Sequence, residues 1–163
     1  MKPGFTFRKY PLLTDGEIDV VVEREARGNR LRGLVPAYHF KIMLHGKPEK
    51  IGRVDLRIGY RDRLVLYGGH VGYGIDETFR GHGYAAKACK LIEQVAIDHH
   101  MDVLWITCNP ENVASRRTCE KIGCEFLEII DLPRDNDMYK RGDRRKCRYR
   151  WIVFGGDRGK HVT

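Results

Sequence analysis

The segment from Arg80 to Ala85, which reads RGHGYA, constrains this 163-residue chain more than any other feature. It lies between an apolar run, residues 71–75, and a stretch with strong helical periodicity that starts at Tyr84. A glycine-rich turn between a strand and a helix exposes main-chain N–H groups, and the helix dipole directs them towards an anion. Glycines suit such a turn because they allow a positive φ and the close approach of a phosphate. The segment is therefore predicted to bind a diphosphate.

Length and composition predict a single domain over residues 1–154 and a disordered tail over residues 155–163. The hydrophobic content of 42% and the charged content of 32% are typical of a soluble protein. The N-terminus has no sustained apolar run, and no stretch approaches membrane-spanning length, so we expect a cytoplasmic protein without a membrane partner. The five cysteines form no CxxC pair, and His99 and His100 lack ligand partners at metal-like spacing. We therefore expect reduced thiols and no metal.

The net charge of +8 is concentrated towards the C-terminus, at Arg134 and in residues 140–150. A basic surface attracts nucleic acids, anionic membranes and polyphosphate ligands alike, or it simply keeps a protein soluble. Aromatic and basic side chains are not interleaved as they are on a single-strand nucleic-acid platform. No nucleic-acid partner is expected.

Hydrophobic periodicity predicts a run of strands, then a helix, a strand, a second helix and two final strands. The turn at residues 109–112 has helix-capping chemistry, and Gly123 is placed to end the second helix. Residues 24–33 and 133–146 are predicted to be polar loops. The predicted strands cover residues 18–22, 38–44, 51–58, 64–67 (a short pairing segment), 71–75, 103–107, 126–130 and 148–154, and the second helix covers residues 114–122.

Three kinds of phosphate-binding motif are candidates for the segment at residues 80–85. The P-loop pattern GxxxxGK[ST] is absent from the chain. The dinucleotide pattern is nominally matched by Gly81, Gly83 and Ala86, but its context is wrong. About half of the chain precedes the turn, and Asp102 lies before the next strand, whereas a dinucleotide fold needs an acid after it.

The third candidate ligand is coenzyme A, because the chain resembles the GNAT superfamily of acyl-CoA-dependent N-acetyltransferases. The family signature [QR]xxGx[GA] is matched by Arg80, Gly83 and Ala85. A second family pattern, usually Nxx[AS]xxxYEKxGF, is matched at the appropriate distance by the residues from Asn112 to Gly123, which read NxxSxxxCEKxG. Cys119 and Cys124 stand where the family usually has the tyrosine and the phenylalanine. The resemblance covers residues 71–126.

The resemblance implies an α/β fold with a mixed, mostly antiparallel sheet, flanking helices and a central V-shaped splay. It also implies direct transfer of an acetyl group from acetyl-CoA to a primary amine of a small molecule or peptide, without a metal. A CoA-binding module without catalysis is the alternative, and exposed sheet edges make a homodimer reasonable. By resemblance, three groups of residues bind CoA: the strand Tyr73, Gly74 and Ile75; the bend Arg80, Gly81, His82, Gly83, Tyr84 and Ala85; and Asn112 with Ser115.

The catalytic residues are less clearly indicated. His70 is the first candidate for the general base, since it lies on the strand that carries such bases in the family, and Asp76 is the second. Cys119 stands where the family usually has a tyrosine that protonates the leaving thiolate. Two alternatives stay open: His70 as an ordinary hydrogen-bonded strand histidine, and Cys119 as a small apolar residue of the helix. Tyr60, Tyr73 and Glu77 are also not excluded.

The acceptor pocket is expected from two segments that form it in the family. Residues 25–36 are too short for the usual pair of helices, and residues 133–146 are long and basic. We therefore expect an open groove that favours acceptors with acidic groups beside the amine.

Overall fold

The computed structural model describes residues 4–153, which contain eight strands in two sheets and three α-helices. Five consecutive strands form an antiparallel sheet in chain order: β1 (Leu13–Thr14), β2 (Ile18–Ala26), β3 (Ala37–Leu44), β4 (Lys50–Arg57) and β5 (Val71–Ile75). The second sheet is also antiparallel and contains β6 (Val103–Cys108), β7 (Glu125–Asp131) and β8 (Arg145–Ile152). Strand β8 lies between the other two. The helices are α1 (Tyr84–Asp98), α2 (Val113–Lys121) and α3 (Asp137–Lys140). The predicted α/β class with mostly antiparallel strands is confirmed.

The core lies between α1 and one face of the first sheet. Helix residues Ile92 and Val95 are fully buried, as are Phe40 and Val54 of the sheet. Burying one such side chain contributes about 1.5–3 kcal/mol. Because strand side chains alternate between faces, the residues between these core positions point away from α1. We call that opposite side of the first sheet the outer face; it carries His39, Lys41, Arg53 and Asp55.

The two sheets meet only briefly before they separate. The main-chain N–H of His70, just before β5, donates to the carbonyl of Trp105 in β6 at 2.6 Å. Within the described residues the two strands form no ladder beyond that point, because β5 pairs with β4 and β6 pairs with β8. The gap that opens between β5 and β6 matches the expected V-shaped splay.

Local signals in the sequence explain how the second helix begins and ends. The Asn112 side chain accepts a hydrogen bond from the Ser115 N–H at 3.1 Å, which is the predicted N-cap contact. Gly123 has a φ of 84° immediately after the helix, where an L-residue with a side chain would be strained.

Several predicted bounds are wrong. The segment 64–67 is not a strand. It forms a single π-helical turn, Leu64–Gly68, that packs against the second sheet, where the Tyr67 carbonyl accepts a hydrogen bond from the Thr107 hydroxyl. Strand β2 extends through residue 26 into the predicted loop, and the predicted loop 133–146 contains α3 and the start of β8. The predicted tail, residues 155–163, lies outside the described residues. Among those that are described, no helix is long and apolar enough to cross a membrane.

Candidate active site

The bend between β5 and α1 is formed by two glycines with left-handed backbones. Gly81 has a φ of 89°, and a Cβ placed on it would meet no atom within 4 Å. Gly83 is the N-cap of α1 with a φ of 75°, and within residues 4–153 no side chain caps the first-turn amides. The first N–H groups of a helix have no acceptor within the helix. The bend therefore presents free N–H donors to open space, an arrangement that fits a phosphate.

Cationic side chains border this bend. The Nε of Arg80 donates to the Ile75 carbonyl at 2.8 Å, which holds the end of β5 against the bend. The Nζ of Lys121, in the last turn of α2, lies 3.5 Å from where a Cβ on Gly83 would stand. Lys121 is not predictable as a neighbour of the bend, because no local pattern shows that the end of α2 packs beside the start of α1. The rings of His82 and Tyr84 stack beside the same bend with their centroids 5.3 Å apart.

A cavity of about 210 Å³ occupies the gap between β5 and β6. Three of the predicted cofactor residues, Tyr73, Asn112 and Ser115, line it. A larger cavity of about 630 Å³ lies near the N-terminal segment and residues 27–36, away from the bend. We take the smaller cavity as the site because it is lined by Tyr73, on the strand that precedes the bend, and by Asn112 and Ser115 of the second sequence motif.

The hydrogen-bond register of β5 decides which main-chain groups face this cavity. Arg57 N–H donates to the His70 carbonyl, and Asp76 N–H donates to the Ile51 carbonyl, so even-numbered residues of β5 pair with β4. Because an antiparallel strand directs alternate residues to opposite edges, the N–H groups of Tyr73 and Ile75 face the gap. The main-chain N–H and C=O of Gly74, another predicted cofactor residue, instead face Arg53 of β4 and not the gap.

The Tyr73 side chain extends to helix α2 and joins a buried polar cluster. Its hydroxyl lies 2.8 Å from Ser115 Oγ and 3.6 Å from Cys119 Sγ. Burial raises the pKa of Tyr73, so this hydroxyl keeps its proton at neutral pH. Hydrogen bonds from Cys124 and Tyr73 lower the pKa of the Cys119 thiol, although burial opposes them. Cys119 is fully buried and does not line the cavity, whereas Tyr73 does.

His70 is fully buried, and both of its ring nitrogens are engaged in hydrogen bonds. Nδ1 accepts from the Trp105 N–H at 2.9 Å, and Nε2 lies 2.6 Å from the Gly59 carbonyl, to which it donates. Burial lowers the pKa of His70 to about 4, so the ring is neutral. With no free lone pair, this imidazole ties β5 to β6, and the geometry counts against its predicted role as general base.

This geometry predicts how stability depends on pH. The pKa of His70 is about 4 in the folded chain and near 6.5 in the unfolded chain, so only the unfolded chain gains this proton between those pH values. Stability from this residue is complete above pH 6.5 and falls with acidification, by about 3 kcal/mol in total. Urea unfolding at pH 7 and pH 4.5 should show a loss about 2–3 kcal/mol greater for the wild type than for His70→Gln. Parallel losses in the two proteins would show that His70 does not titrate in this way.

The other predicted catalytic residues lie near the end of β5 or further away. Asp76 is exposed at the end of β5, and Glu77 is exposed in the 3-10 turn that follows it. The Tyr60 hydroxyl donates to the Val103 carbonyl at 2.6 Å, outside the cavity. Over residues 4–153, no cluster of three or more His, Cys, Asp or Glu side chains is arranged to hold a metal ion.

Two cations that the sequence analysis did not select line the cavity. Arg53 of β4 forms an ion pair with Asp55, and Lys146 of β8 lies 2.6 Å from Asn109 Oδ1 and 3.3 Å from Asp143 Oδ2. The Lys146 side chain is only 9% exposed. Both residues are far in sequence from the motifs, and only the pairing of β4 and β8 with their neighbours brings them to the gap.

Comparison with solved structures shows a shared fold. The microcin C7 self-immunity acetyltransferase MccE, in complex with acetyl-CoA and AMP, is 18% identical with a TM-score of 0.57, over 72% of this chain and 61% of that one. The ribosomal-protein-S5-alanine acetyltransferase from Vibrio fischeri is 18% identical with a TM-score of 0.57, over 72% and 62%. The ribosomal L7/L12 α-N-protein acetyltransferase RimL without ligand is 14% identical with a TM-score of 0.63, over 88% and 98%.

The chain spans 61–62% of the length of the first two of these proteins. No curated protein matches the sequence. A family model described as an acetyltransferase (GNAT) domain matches residues 6–125, which is more than half of the chain. The chain belongs to the GNAT acetyltransferase family.

Proposed function

We propose that this protein transfers an acetyl group from acetyl-CoA to a primary amine by direct attack in a ternary complex. The observation that carries the proposal is that β5 connects two open features of the chain. Its end is followed by the bend with free main-chain amides at Gly83, and its edge beside β6 lines the cavity at Tyr73. Membership of the GNAT family supports it. Two structures with the same fold, MccE and a form of RimL, were solved with acetyl-CoA or CoA.

The residues of the bend fit the diphosphate of CoA. Gly81 leaves the space above the bend open, and main-chain amides from Gly81 to Ala85 would hold the phosphate oxygens, with Lys121 adding a positive charge. A hydrogen bond to a charged group contributes about 1.5–3 kcal/mol, so a few such bonds anchor the cofactor. The amide-bearing arm of CoA would lie along the free edge at Tyr73 and Ile75, with Asn112 and Ser115 on its other side.

Bound acetyl-CoA supplies an activated acetyl group as a thioester, and the protein must polarise the thioester carbonyl and bring the amine to it. Main-chain N–H groups that face the gap, at Tyr73 or Ile75, can donate to the carbonyl oxygen. A lysine-like amine has a pKa near 10.4, so keeping it neutral at pH 7 costs about 4–5 kcal/mol. A positioned proton acceptor offsets part of that cost.

The departing thiolate also needs a proton, and we assign this role to Tyr73 rather than Cys119. Tyr73 lines the cavity, and its hydroxyl lies 2.8 Å from Ser115 Oγ, on a second residue that lines it. Cys119 is enclosed behind it. The tyrosine that the family usually places on α2 is thus replaced in our proposal by one from β5.

Release of free thiol from acetyl-CoA tests the proposal, with Ala-Glu, Ala-Lys and spermidine as acceptors and mass spectrometry of the products. We expect release that depends on the amine and is fastest with Ala-Glu, because Arg53 and Lys146 border the cavity. Binding of acetyl-CoA without turnover of any of these amines would favour a CoA-binding module without catalysis. Equal or faster acetylation of spermidine would contradict the preference for acidic acceptors.

A further inference from the structure

We propose that the acceptor amine enters from the outer face of the first sheet and gives its proton to Asp55, which His39 and Arg53 hold in place. This inference rests on the proposed acetyl transfer and names the residues that receive the acceptor. None of the three belongs to either sequence motif. Their assignment comes from how the strands pair beside the gap.

Asp55 lies next to the edge strand of the gap. It pairs in register with Gly72 of β5, and a Cβ on Gly72 would stand 3.7 Å from Asp55 Oδ2 and 3.9 Å from Arg53 Nη1. Because Gly72 has no side chain, only the main chain of β5 lies between the Asp55 carboxylate and the cavity beside β6. A side chain at position 72 would stand between the carboxylate and the gap.

The Asp55 carboxylate is buried and fixed from two sides. Its residue is 6% exposed; Oδ1 lies 2.7 Å from His39 Nδ1, and Oδ2 pairs with Arg53. Each carboxylate oxygen has a further lone pair, so both can still accept a hydrogen bond from an incoming amine. A carboxylate held by two donors is oriented before the substrate arrives, as a group that must accept a proton at one atom needs to be.

The outer face offers a route for the acceptor to this carboxylate. A cavity of about 460 Å³ on this face is lined by His39, Arg53 and Asp55. Arg53 also lines the cavity between β5 and β6, so the two spaces adjoin at this side chain. An acceptor whose body lies in the outer cavity can direct its amine past Arg53 towards the gap.

The proton and electron pairs balance as follows. The acceptor reacts as a neutral amine, its ammonium form having lost one proton to solvent. The nitrogen lone pair forms the new C–N bond as the C–S bond breaks, and the N–H proton that the nitrogen must then lose moves to an Asp55 oxygen. The leaving sulfur takes its proton from the donor assigned above, and both groups then exchange protons with solvent. Asp55 touches the substrate in this scheme, whereas His39 is a positioning residue.

His39 holds the carboxylate from the side opposite Arg53. An N–H at its Nδ1 donates to Asp55 Oδ1 at 2.7 Å, and in the described part of the chain its Nε2 has no hydrogen-bond partner. The charged groups that surround His39 are Glu23 and Arg24 from β2, Lys41 from β3, and Lys50, Arg53 and Asp55 from β4.

Three variants and a matched control test the inference. Asp55→Asn removes the proton acceptor, His39→Leu removes the N–H donor that holds it, and His39→Asn supplies an N–H donor again. The control is His45→Asn, because His45 Nδ1 makes the same contact with Asp19 Oδ1, at 2.8 Å, at the other end of β3. Kinetics would use whichever of Ala-Glu, Ala-Lys and spermidine the wild type acetylates fastest, with thermal unfolding to check folding.

We expect Asp55→Asn to lower kcat/KM for the amine by about 100-fold or more, with unchanged acetyl-CoA affinity by calorimetry. His39→Leu should lower kcat/KM for the amine by about tenfold, and His39→Asn should restore most of that loss because it again offers an N–H to Asp55. His45→Asn should match the wild type, and amine titration should shift the ring ¹⁵N signals of His39 but not of His45. Near-wild-type kinetics for Asp55→Asn, or equal losses for His39→Leu and His39→Asn, would overturn this inference alone. A wild type that binds acetyl-CoA but acetylates no amine would overturn the proposed function and this inference with it.

Discussion

Gly83→Val is expected to weaken acetyl-CoA binding by about 100-fold or more, seen as a raised KM and a raised Kd by calorimetry. Gly83 is the N-cap of α1 at a φ of 75°, and its amide and those after it face the open space where we place the diphosphate. A β-branched side chain there would occupy that space and approach Lys121, whose Nζ stands 3.5 Å from the added Cβ. Losing two charge-assisted hydrogen bonds costs about 3–6 kcal/mol, which is sufficient for this effect.

Gly46→Val is the matched control for that variant. Gly46 has a φ of 74° in the turn after β3, and a Cβ on it would meet no atom within 4 Å. Both substitutions therefore impose a similar backbone strain of about 1–2 kcal/mol, which thermal unfolding would measure. Only Gly83→Val should lose affinity. Equal affinity in the two variants would show that the bend does not hold the cofactor.

Tyr73→Phe is expected to lower kcat by about 100-fold while the acetyl-CoA KM changes by less than about threefold. Tyr73 lines the cavity, and the substitution removes only its hydroxyl, which lies 2.8 Å from Ser115 Oγ. An effect on kcat without one on KM is the sign of an interaction used in the chemical step. Rapid-mixing measurement of thiol release would separate that step from product release.

Cys119→Ala separates the two possible proton donors. Its thiol lies 3.6 Å from the Tyr73 hydroxyl but is fully buried, so we expect its removal to cost some stability and less than about tenfold in kcat. The reverse result would contradict our assignment of Tyr73. If Cys119→Ala lost about 1,000-fold and Tyr73→Phe were nearly unaffected, the cysteine at the family's tyrosine position would be the donor.

The features that the sequence predicted well depend on neighbouring residues. The bend follows from two glycines that adopt a positive φ, and the start of α2 follows from Asn112, whose side chain caps it. The separation of β5 from β6 was expected from the family resemblance, and the register shows that Tyr73 and Ile75 face the gap. These conformations are predictable from local pattern or motif because they depend only on the main chain nearby.

The features that the sequence did not predict depend on contacts between distant segments. His70 was the first candidate for the base because of its strand, but its partners come from Gly59 and Trp105, which no pattern connects to it. Residues 64–67 have the composition of a strand, yet the carbonyls of Val65 and Tyr67 are bound by side chains of the second sheet rather than by a neighbouring strand.

His39 and Asp55 show the same difficulty on the outer face. Each lies between two apolar neighbours in its strand, the two are sixteen positions apart, and only the pairing of β3 with β4 places them in contact. Alternation along the two strands could have indicated a shared face. It could not have shown that the face borders a gap, because that depends on Gly72 and on the separation of the two sheets.

A crystal structure of the wild-type chain with acetyl-CoA tests the central claim most directly. The account predicts diphosphate oxygens within about 2.7–3.2 Å of main-chain nitrogens between Gly81 and Ala85, with the thioester beside Tyr73. A diphosphate bound elsewhere on the chain, with those nitrogens turned away from it, would contradict the account.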